Sequence, residues 1–199
     1  MTNKQFSPAS ARNREPILAA LSPLLEGCRS VLEIGSGTGQ HAVYFGAALP
    51  DILWQTSDLP ANHPGILAWL QEAALSNVLP PLTLDAGAAD WPSGPFDAVY
   101  TANTCHIMSW PEVQGMFRGV GQVLAPGGML CIYGPFNRNG QYTAPSNAQF
   151  DASLKAQAPH MGLRNMEDID ALARAQQLTL VADVPLPANN NLLAWRRND

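Results

Sequence analysis

Short apolar segments alternate with amphipathic segments along this chain, and the alternation predicts an α/β fold. Apolar runs of strand length predict β-strands at 30–34, 52–58, 81–86, 96–103, 129–136, 178–186 and 191–197. Helical spacing predicts α-helices at 16–25, 40–49, 63–75, 113–124, 147–157 and 166–178. Strands that alternate with helices in this way indicate a mostly parallel sheet with helices on both faces.

The 199 residues are most simply one domain, because the chain has no internal repeat and no low-complexity linker. Four parts can be distinguished by composition. They are a leader with the first helix (1–29), a core (30–136), a polar, turn-rich insertion (137–165) and a C-terminal helix with a strand pair (166–199). We expect the leader and the insertion to fold over the edge of the sheet at which a ligand binds.

Composition excludes several classes of protein. Hydrophobic residues make up 46% and charged residues 14%, which is typical of a globular chain. The formal net charge is −5 and there is no Lys/Arg run, so we expect no nucleic-acid or membrane partner. No apolar stretch approaches the roughly 20 residues that span a bilayer, and the N-terminus lacks an apolar signal core. We therefore expect a soluble, unexported, cytoplasmic protein.

The glycine-rich segment VLEIGSGTGQHA (31–42) places three glycines between a predicted strand and a predicted helix. Without Cβ atoms, the backbone at Gly35, Gly37 and Gly39 can turn tightly and approach a nucleotide-like ligand closely. A dinucleotide site typically has G-x-G-x-x-G, but Gln40 occupies the place of the third glycine here. The spacing therefore favours a different nucleotide-like cofactor.

Three acidic residues follow one another at the ends of three predicted strands. Glu33 can offset the positive charge of an ammonium or sulfonium ligand, or it can merely stiffen the glycine loop. Asp58 is placed to hold ribose hydroxyls, or to cap a turn. Asp85, followed by Ala86, can meet an adenine amino group or form a plain turn. Acids at three successive strand ends favour an adenosyl ligand over a pyrophosphate.

The segments VLEIGSGTGQHA, TSD, LDA, FDAVYTAN and LAPGGMLCIYGPF together resemble the class I S-adenosylmethionine (SAM)-dependent methyltransferases over residues 30–136. The resemblance implies a Rossmann-like, mostly parallel seven-stranded sheet whose last strand is antiparallel. It also implies SAM as the cofactor. The cofactor-binding residues that it implies are Glu33, Gly35, Ser36, Gly37, Thr38, Gly39, Asp58, Leu59, Asp85, Ala86 and Asn103.

A narrower resemblance covers nearly the whole chain. SPASARNREPIL, NTCHIMSW, YGPFNRNGQYTAPSNAQFDASL, GLRNMEDIDALA and LPANNNLLAWRR are similar to a methyltransferase-like family of unknown function, whose animal members are called methyltransferase-like protein 26. That family commonly reads N-x-x-H-I-x-P-W, and Ser109 replaces its proline before Trp110. The family supplies no substrate, so the resemblance specifies the fold and the cofactor more closely than the reaction.

Methyl transfer from a sulfonium is an in-line displacement, so an enzyme must align the two groups and, for a weak nucleophile, remove a proton. His106 is a candidate base, or a structural histidine. Asn103 can orient the donor or the acceptor. Cys105 is better explained as a buried thiol than as a nucleophile. The three cysteines and four histidines show no metal-ligand spacing, so we expect no metal.

The acceptor site is predicted from polar residues outside the core. Arg12 and Asn13 can contact an acidic acceptor or the methionine carboxylate, or simply form a solvated helix cap. Tyr133, Tyr142 and Asn147 supply neutral hydrogen-bonding groups, which favour a small polar acceptor.

The sequence thus predicts a SAM-dependent methyltransferase acting on a small polar molecule. The alternative is a non-catalytic protein that binds SAM or S-adenosylhomocysteine (SAH) and acts as a sensor or interaction partner. A nicotinamide dehydrogenase is disfavoured by Gln40 and Glu33. The sequence predicts neither the oligomeric state nor the acceptor atom.

Overall fold

A seven-stranded sheet lies at the centre of the structure, a computed structural model that describes residues 4–199. Its strands are β1 (Ser30–Ile34), β2 (Leu53–Asp58), β3 (Val78–Thr83), β4 (Phe96–Ala102), β5 (Leu124–Gly134), β8 (Leu178–Leu186) and β9 (Asn190–Arg197). Two short strands, β6 (Phe136–Asn137) and β7 (Arg164–Asn165), form a separate parallel pair.

Within residues 4–199, six α-helices pack around the sheet. They are α1 (Pro8–Leu21), α2 (Gln40–Ala48), α3 (His63–Ala73), α4 (Trp110–Val123), α5 (Pro145–Gln157) and α6 (Met166–Ala175), with short 3-10 helices at Ser22–Leu25 and Pro60–Asn62. No helix between residues 4 and 199 combines the length and the apolar character that a membrane span requires.

The strand order is β3-β2-β1-β4-β5-β9-β8. Strands β1 to β5 are paired in parallel, and β9 is antiparallel to both β5 and β8. The predicted mostly parallel sheet with an antiparallel last strand is therefore confirmed. The order reverses between β1 and β4, and ligands of open α/β sheets bind at such a point, beyond the carboxyl ends of the strands.

Both faces of the sheet are buried, which explains the continuous apolar runs in the sequence. Residues alternate between the faces along β1: Leu32 packs with Trp195 beneath α4 and α6, whereas Val31 packs with Trp54 beneath α1 and α2. Because each strand end is held between two packed layers, the loops that follow β1, β2 and β4 have fixed starting points.

The prediction that the first helix begins at Pro16 was wrong. Helix α1 begins at Pro8, because the Ser7 hydroxyl accepts a hydrogen bond from the Ser10 N–H (3.1 Å) and caps the helix. Pro8 lies in the first turn, where a missing N–H costs little, and Pro16 lies inside the helix. Most of the described part of the leader is therefore helical, and the start of this helix lies beside the glycine loop.

Two predicted strands also have different bounds. Strand β3 begins at Val78 instead of 81, and it contains Pro80 and Pro81, which an edge strand tolerates. Strand β5 begins at Leu124 instead of 129, and residues 125–128 form an irregularity within the strand, between the Phe96–Leu124 and Ala98–Met129 pairs. The predictions at 178–186 and 191–197 are confirmed to within one residue.

Candidate cofactor and acceptor site

Three cavities adjoin one another at the carboxyl ends of β1, β2 and β4. The loop cavity (about 370 Å³) is lined by Ser7, Ala9, Ser10, Gly35, Ser36, Gly37, Thr38, His41, Ala102, Asn103, His106 and Phe150. The acidic cavity (about 260 Å³) is lined by Ile34, Gly35, Asp58, Leu59, Leu84, Asp85, Ala86, Thr104, Ile107, Met108, Glu112 and His160. The cap cavity (about 510 Å³) is lined by Ala9, Arg12, Asn13, Pro16, Asn103, Tyr133, Pro135, Ser146, Asn147, Phe150, Pro187, Ala188 and Asn190.

Shared lining residues connect the cavities in a row. The loop and acidic cavities share Gly35, and the loop and cap cavities share Ala9, Asn103 and Phe150. The row runs from the acidic cavity through the loop cavity to the cap cavity. A ligand that fills the acidic and loop cavities therefore has one end beside the cap cavity.

The glycine loop adopts a backbone conformation that other residues rarely adopt. Gly35, Gly37 and Gly39 have φ angles of 66°, 59° and 87°. A Cβ atom at Gly35 would also lie 2.8 Å from Thr104 Cγ2, whereas one at Gly37 would have no heavy atom within 4 Å. Position 35 therefore requires a glycine both for its positive φ angle and for close packing against Thr104. Position 37 requires a glycine only for its positive φ angle.

Glu33 lies beneath this loop, with 2% of its surface exposed. Its carboxylate accepts hydrogen bonds from Ser36 Oγ (2.9 Å) and Trp54 Nε1 (3.1 Å). Burial raises the pKa of Glu33 to about 7, against the opposing effect of these hydrogen bonds. Glu33 is not among the described residues that line the cavities. These hydrogen bonds stiffen the glycine loop, which is the structural role that the sequence left open. Direct contact of Glu33 with a cofactor stays a prediction.

Asp58 connects the second strand to the glycine loop. Its Oδ2 accepts from the Gly37 N–H (2.7 Å), while Oδ1 accepts from the Leu59 N–H (2.7 Å) and from Asn62 Nδ2 (2.8 Å). A carboxylate has about four acceptor positions, so one remains on Oδ2. The predicted contact with the ribose hydroxyls stays a prediction, and a contact through both carboxylate oxygens requires one of the two donors on Oδ1, such as the Asn62 amide, to move.

Asp85 and Ala86 follow β3 and line the acidic cavity. Asp85 Oδ1 accepts from the Gly87 N–H (3.0 Å), as in the plain turn that the sequence left open. Opposite them lie Ile107, 45% exposed, and Met108. The acidic cavity thus combines apolar surface with carboxylates, which suits an uncharged, hydroxyl-bearing group and disfavours a phosphate.

Asn103 lies where the loop and cap cavities meet. Its backbone has φ +60°, and its N–H donates to the Tyr133 carbonyl (2.9 Å) across β4 and β5. Asparagine tolerates this left-handed conformation better than most residues, but backbone strain of this kind is concentrated at functional sites. The strand end therefore presents Asn103 to both cavities.

His106 lines the loop cavity and is 6% exposed. Burial, with a smaller contribution from the Arg164 charge, lowers its pKa to about 4, so the imidazole is neutral at pH 7. Its ring packs edge-to-face against Phe150, with 5.2 Å between centroids. Nearby, burial raises the pKa of Cys105 to about 11, which keeps that thiol protonated.

The start of α1 is fastened to the glycine loop by Gln40. The side-chain amide of Gln40 accepts from the Ser7 N–H and donates to the Ser7 carbonyl. The next turn of α1 places Arg12 and Asn13 on the wall of the cap cavity. Gln40, which sets this motif apart from the dinucleotide pattern, therefore positions the leader over the site.

The other predicted acceptor residues differ in placement. Tyr133 and Asn147 are buried and line the cap cavity. Tyr142 is 45% exposed, and its hydroxyl donates to Asp151 (2.7 Å) within the 137–165 segment. Tyr142 lines none of the three cavities, and its role in substrate binding stays a prediction.

Several lining residues were not predicted. Phe150 borders two cavities, and Ile107 and Met108 border the acidic cavity. In a sequence, isolated apolar residues of this kind are indistinguishable from core residues. The only signal was spacing: Phe150 follows Asn147 by three positions, which places both on one helix face. Among residues 4–199, no group of three or more His, Cys, Asp or Glu side chains is placed to hold a metal ion.

The sequence profile of a family described as "Protein of unknown function (DUF938)" matches residues 4–197. The chain belongs to the DUF938 family. Because the match includes the leader and the 137–165 segment, the DUF938 region contains all three cavities.

Solved structures share the fold of this DUF938 protein. An O-methyltransferase family protein from Burkholderia thailandensis is 19% identical with a TM-score of 0.85, over 96% of this chain and 58% of that chain. Human N-acetylserotonin methyltransferase, solved in complex with SAM, is 13% identical with a TM-score of 0.79, over 96% and 53%.

A third similar structure is an O-methyltransferase family 2 protein from Planctomyces limnophilus DSM 3776, solved in complex with apigenin. It is 17% identical with a TM-score of 0.81, over 95% of this chain and 60% of that chain. The DUF938 chain thus spans little more than half the length of these proteins. The likeness shows that it has the Rossmann-like methyltransferase fold.

Proposed function

We propose that this protein is a SAM-dependent methyltransferase that acts on a small polar molecule. The main support for the proposal is the row of three adjoining cavities, with Asn103 between the loop cavity and the cap cavity. Methyl transfer needs a donor site and an acceptor site that open onto each other, because the two groups must be aligned within contact distance.

The residues present fit SAM. The carboxylates of Asp58 and Asp85 and the apolar side chains of Ile107 and Met108 suit an adenosine group. The loop cavity suits the methionine part, since Ser10, Thr38 and Asn103 supply polar groups there. When bound, SAM supplies an electrophilic methyl group on a positively charged sulfur. The three carboxylates that line the acidic cavity, including Glu112, would repel the pyrophosphate of a dinucleotide.

The chain's own residues would then position the acceptor and exclude water. Helix α1 and helix α5 cover the cap cavity from two sides, through Arg12 and Asn147. Asn103 would orient the acceptor at the junction. His106, neutral at pH 7, has an imidazole nitrogen that can accept a proton from the acceptor as transfer proceeds.

Calorimetric titration tests the cofactor assignment, with SAM, SAH and NADH as ligands. We expect micromolar binding of both adenosyl compounds and none of NADH. Incubation with methyl-labelled SAM and a panel of small polar acceptors then tests turnover. Binding of NADH, or of none of the three ligands, would contradict the proposal.

One observation favours a non-catalytic SAM- or SAH-binding protein as the second candidate. Among the described residues, none forms a hydrogen bond with the His106 ring, whereas a catalytic base is usually oriented by a third group. Tight SAH binding without methyl transfer to any acceptor would support this alternative.

Three finer assignments belong to the proposal. The motifs at both ends of the chain support kinship with methyltransferase-like protein 26. The net charge of −5 supports a small-molecule acceptor over a nucleic acid or an anionic membrane. A cytoplasmic location is the third of these assignments, and it stays a prediction.

A further inference from the structure

We infer that the methyl acceptor carries an anionic group, a carboxylate or a phosphate, which Arg12 binds on the α1 side of the cap cavity. The inference rests on the proposed function and narrows it to one class of acceptor. The remaining walls indicate that the rest of the acceptor is largely apolar.

Arg12 is the only charged side chain among the described residues that line the cap cavity. None of the ion pairs between described residues includes it. A guanidinium has five N–H donors in a planar arrangement that matches a carboxylate or a phosphate. In a protein of net charge −5, this cavity therefore offers an anion a cation that forms no ion pair with a described carboxylate.

Most amide donors elsewhere in the cavity are already engaged. Asn147 Nδ2 donates to Thr143 Oγ1 (2.9 Å) and the Asn189 carbonyl (3.3 Å). Asn190 Nδ2 donates to two backbone carbonyls of the turn that precedes it (3.1 and 3.2 Å). The donors that remain for a ligand include Arg12 and Asn13 on α1, the Asn103 amide and the Tyr133 and Ser146 hydroxyls, and of these only Arg12 is charged.

Asn13 is the second of these donors on α1. Its Oδ1 lies 2.8 Å from Nε2 of the buried His41. A neutral imidazole that donates through this nitrogen occupies the Asn13 oxygen, and one of the two N–H groups of the Asn13 amide is directed to the Tyr133 hydroxyl oxygen, which leaves one N–H for a ligand. Asn13 is also close enough to the Tyr133 hydroxyl to oppose the rise in pKa that burial causes there. Arg12, Asn13 and Tyr133 thus form a wall rich in N–H and O–H donors.

The sequence left open whether Arg12 contacts an acidic acceptor or the methionine carboxylate of SAM. The position of Arg12 favours the acceptor. Arg12 lines the cap cavity and is not among the described residues of the loop cavity, where the methionine part of SAM would lie. Its partner is therefore an anion of the acceptor. The cavity lining also includes the apolar residues Pro135, Phe150 and Pro187, and the volume of about 510 Å³ suits a small organic molecule.

Binding of paired probes tests the inference. Benzoate, 4-hydroxybenzoate and 1-naphthoate are titrated against their neutral amides, with phenyl phosphate as the phosphate probe, with and without saturating SAH. We expect at least one acid to bind about tenfold or more tightly than its amide. The tighter series, carboxylate or phosphate, identifies the anion.

Two variants assign the effect to one residue. Arg12→Gln should reduce the affinity for that acid about tenfold or more. Arg14→Gln removes the same charge from the same helix, but Arg14 lies over the Tyr44 ring (4.5 Å) and does not line the cavity. It should change the affinity less than about twofold, and SAH affinity should be unchanged in both variants.

Equal binding of acids and amides, no binding of any acid, or equal losses in the two variants would overturn the inference. Failure of the proposed function gives a different result. If SAH does not bind but the acids bind in an Arg12-dependent manner, the anion site stands and the cofactor assignment fails.

Discussion

The proposed cofactor half and the proposed acceptor half of the site are built in different ways. The cofactor half, formed by the loop and acidic cavities, depends on residues at the ends of adjacent strands, and Asp58 bonds directly to the Gly37 backbone. The acceptor half, the cap cavity, is assembled from α1, α5 and the turn between β8 and β9, which are distant in sequence.

The fold determines the geometry of the proposed cofactor half, whereas the residues that line the cap cavity can vary without a change of fold. Sheet hydrogen bonds hold the cofactor half in place before any ligand arrives, so its geometry follows from the fold. The cap cavity depends on side chains of packed helices and turns, which can change without changing the sheet. Substrate choice in such folds is therefore a property of the local site and not of the architecture.

The largest effect is expected in the glycine loop. Gly35→Ala should lower the free energy of unfolding by about 3 to 4 kcal/mol, because the left-handed backbone strain adds to a clash with Thr104. Gly37→Ala carries only the backbone strain and should cost about 1 to 2 kcal/mol. Chemical denaturation measures both. Equal losses would show that close packing against Thr104 is not what holds the loop.

A pH titration of stability tests the protonation state of Glu33, which lies beneath the glycine loop. Between pH 4.5 and 7 the unfolded chain releases a proton that buried Glu33 retains, so this residue makes the fold less stable as pH rises. Glu33→Gln removes that loss. From pH 4.5 to 8, the stability of the variant relative to wild type should rise by about 3 kcal/mol.

Denaturation curves at several pH values give this difference, and contributions from the buried histidines cancel in it. Glu26→Gln, at an exposed position, is the control. A pH-independent difference between Glu33→Gln and wild type would mean that Glu33 is ionised in the folded protein.

The next effect concerns cofactor binding. Asp58→Ala should weaken SAH binding by about 2 kcal/mol, or roughly 30-fold, through loss of a charge-assisted contact and of the bond that fixes Gly37. Calorimetry measures the change. Asp85→Ala, an exposed acid in the same cavity, should have a smaller effect. Unchanged affinity in Asp58→Ala would remove the ribose assignment.

The smallest effect on binding is expected at the boundary between the halves. His106→Ala should change SAH affinity less than about twofold but reduce methyl transfer about 10²-fold or more, if His106 acts as the base. His106→Phe preserves the packing against Phe150 and should behave in the same way. If SAH affinity falls as far as in Asp58→Ala, His106 is a structural residue.

The contrast between the two halves also explains which parts of the site could be predicted from the sequence. Glycine spacing and acids at strand ends are local patterns, so the loop, Asp58 and Asp85 were found at the expected edge of the sheet. The start of α1 was missed although the sequence carries its signal. Ser7 directly before Pro8 is a preferred N-cap followed by a proline of the first turn, whereas Glu15 before Pro16 is not a preferred cap.

The cap cavity was predictable only in part. Arg12, Asn13, Tyr133 and Asn147 were selected for their polarity, and they line it, whereas Tyr142 was selected on the same grounds and does not. The approach of α1, α5 and the β8–β9 turn depends on packing between segments that are far apart in sequence. A sequence pattern carries no direct signal of such packing, and Phe150 was therefore missed.

The most direct test of this account is a crystal structure of the protein with SAH. We predict that the adenosine lies in the acidic cavity beside Asp58, that the amino acid part lies against Gly35–Thr38, and that the sulfur faces Asn103 and the cap cavity. If SAH lies elsewhere, or if its sulfur is separated from the cap cavity, the proposed link between the two halves is wrong.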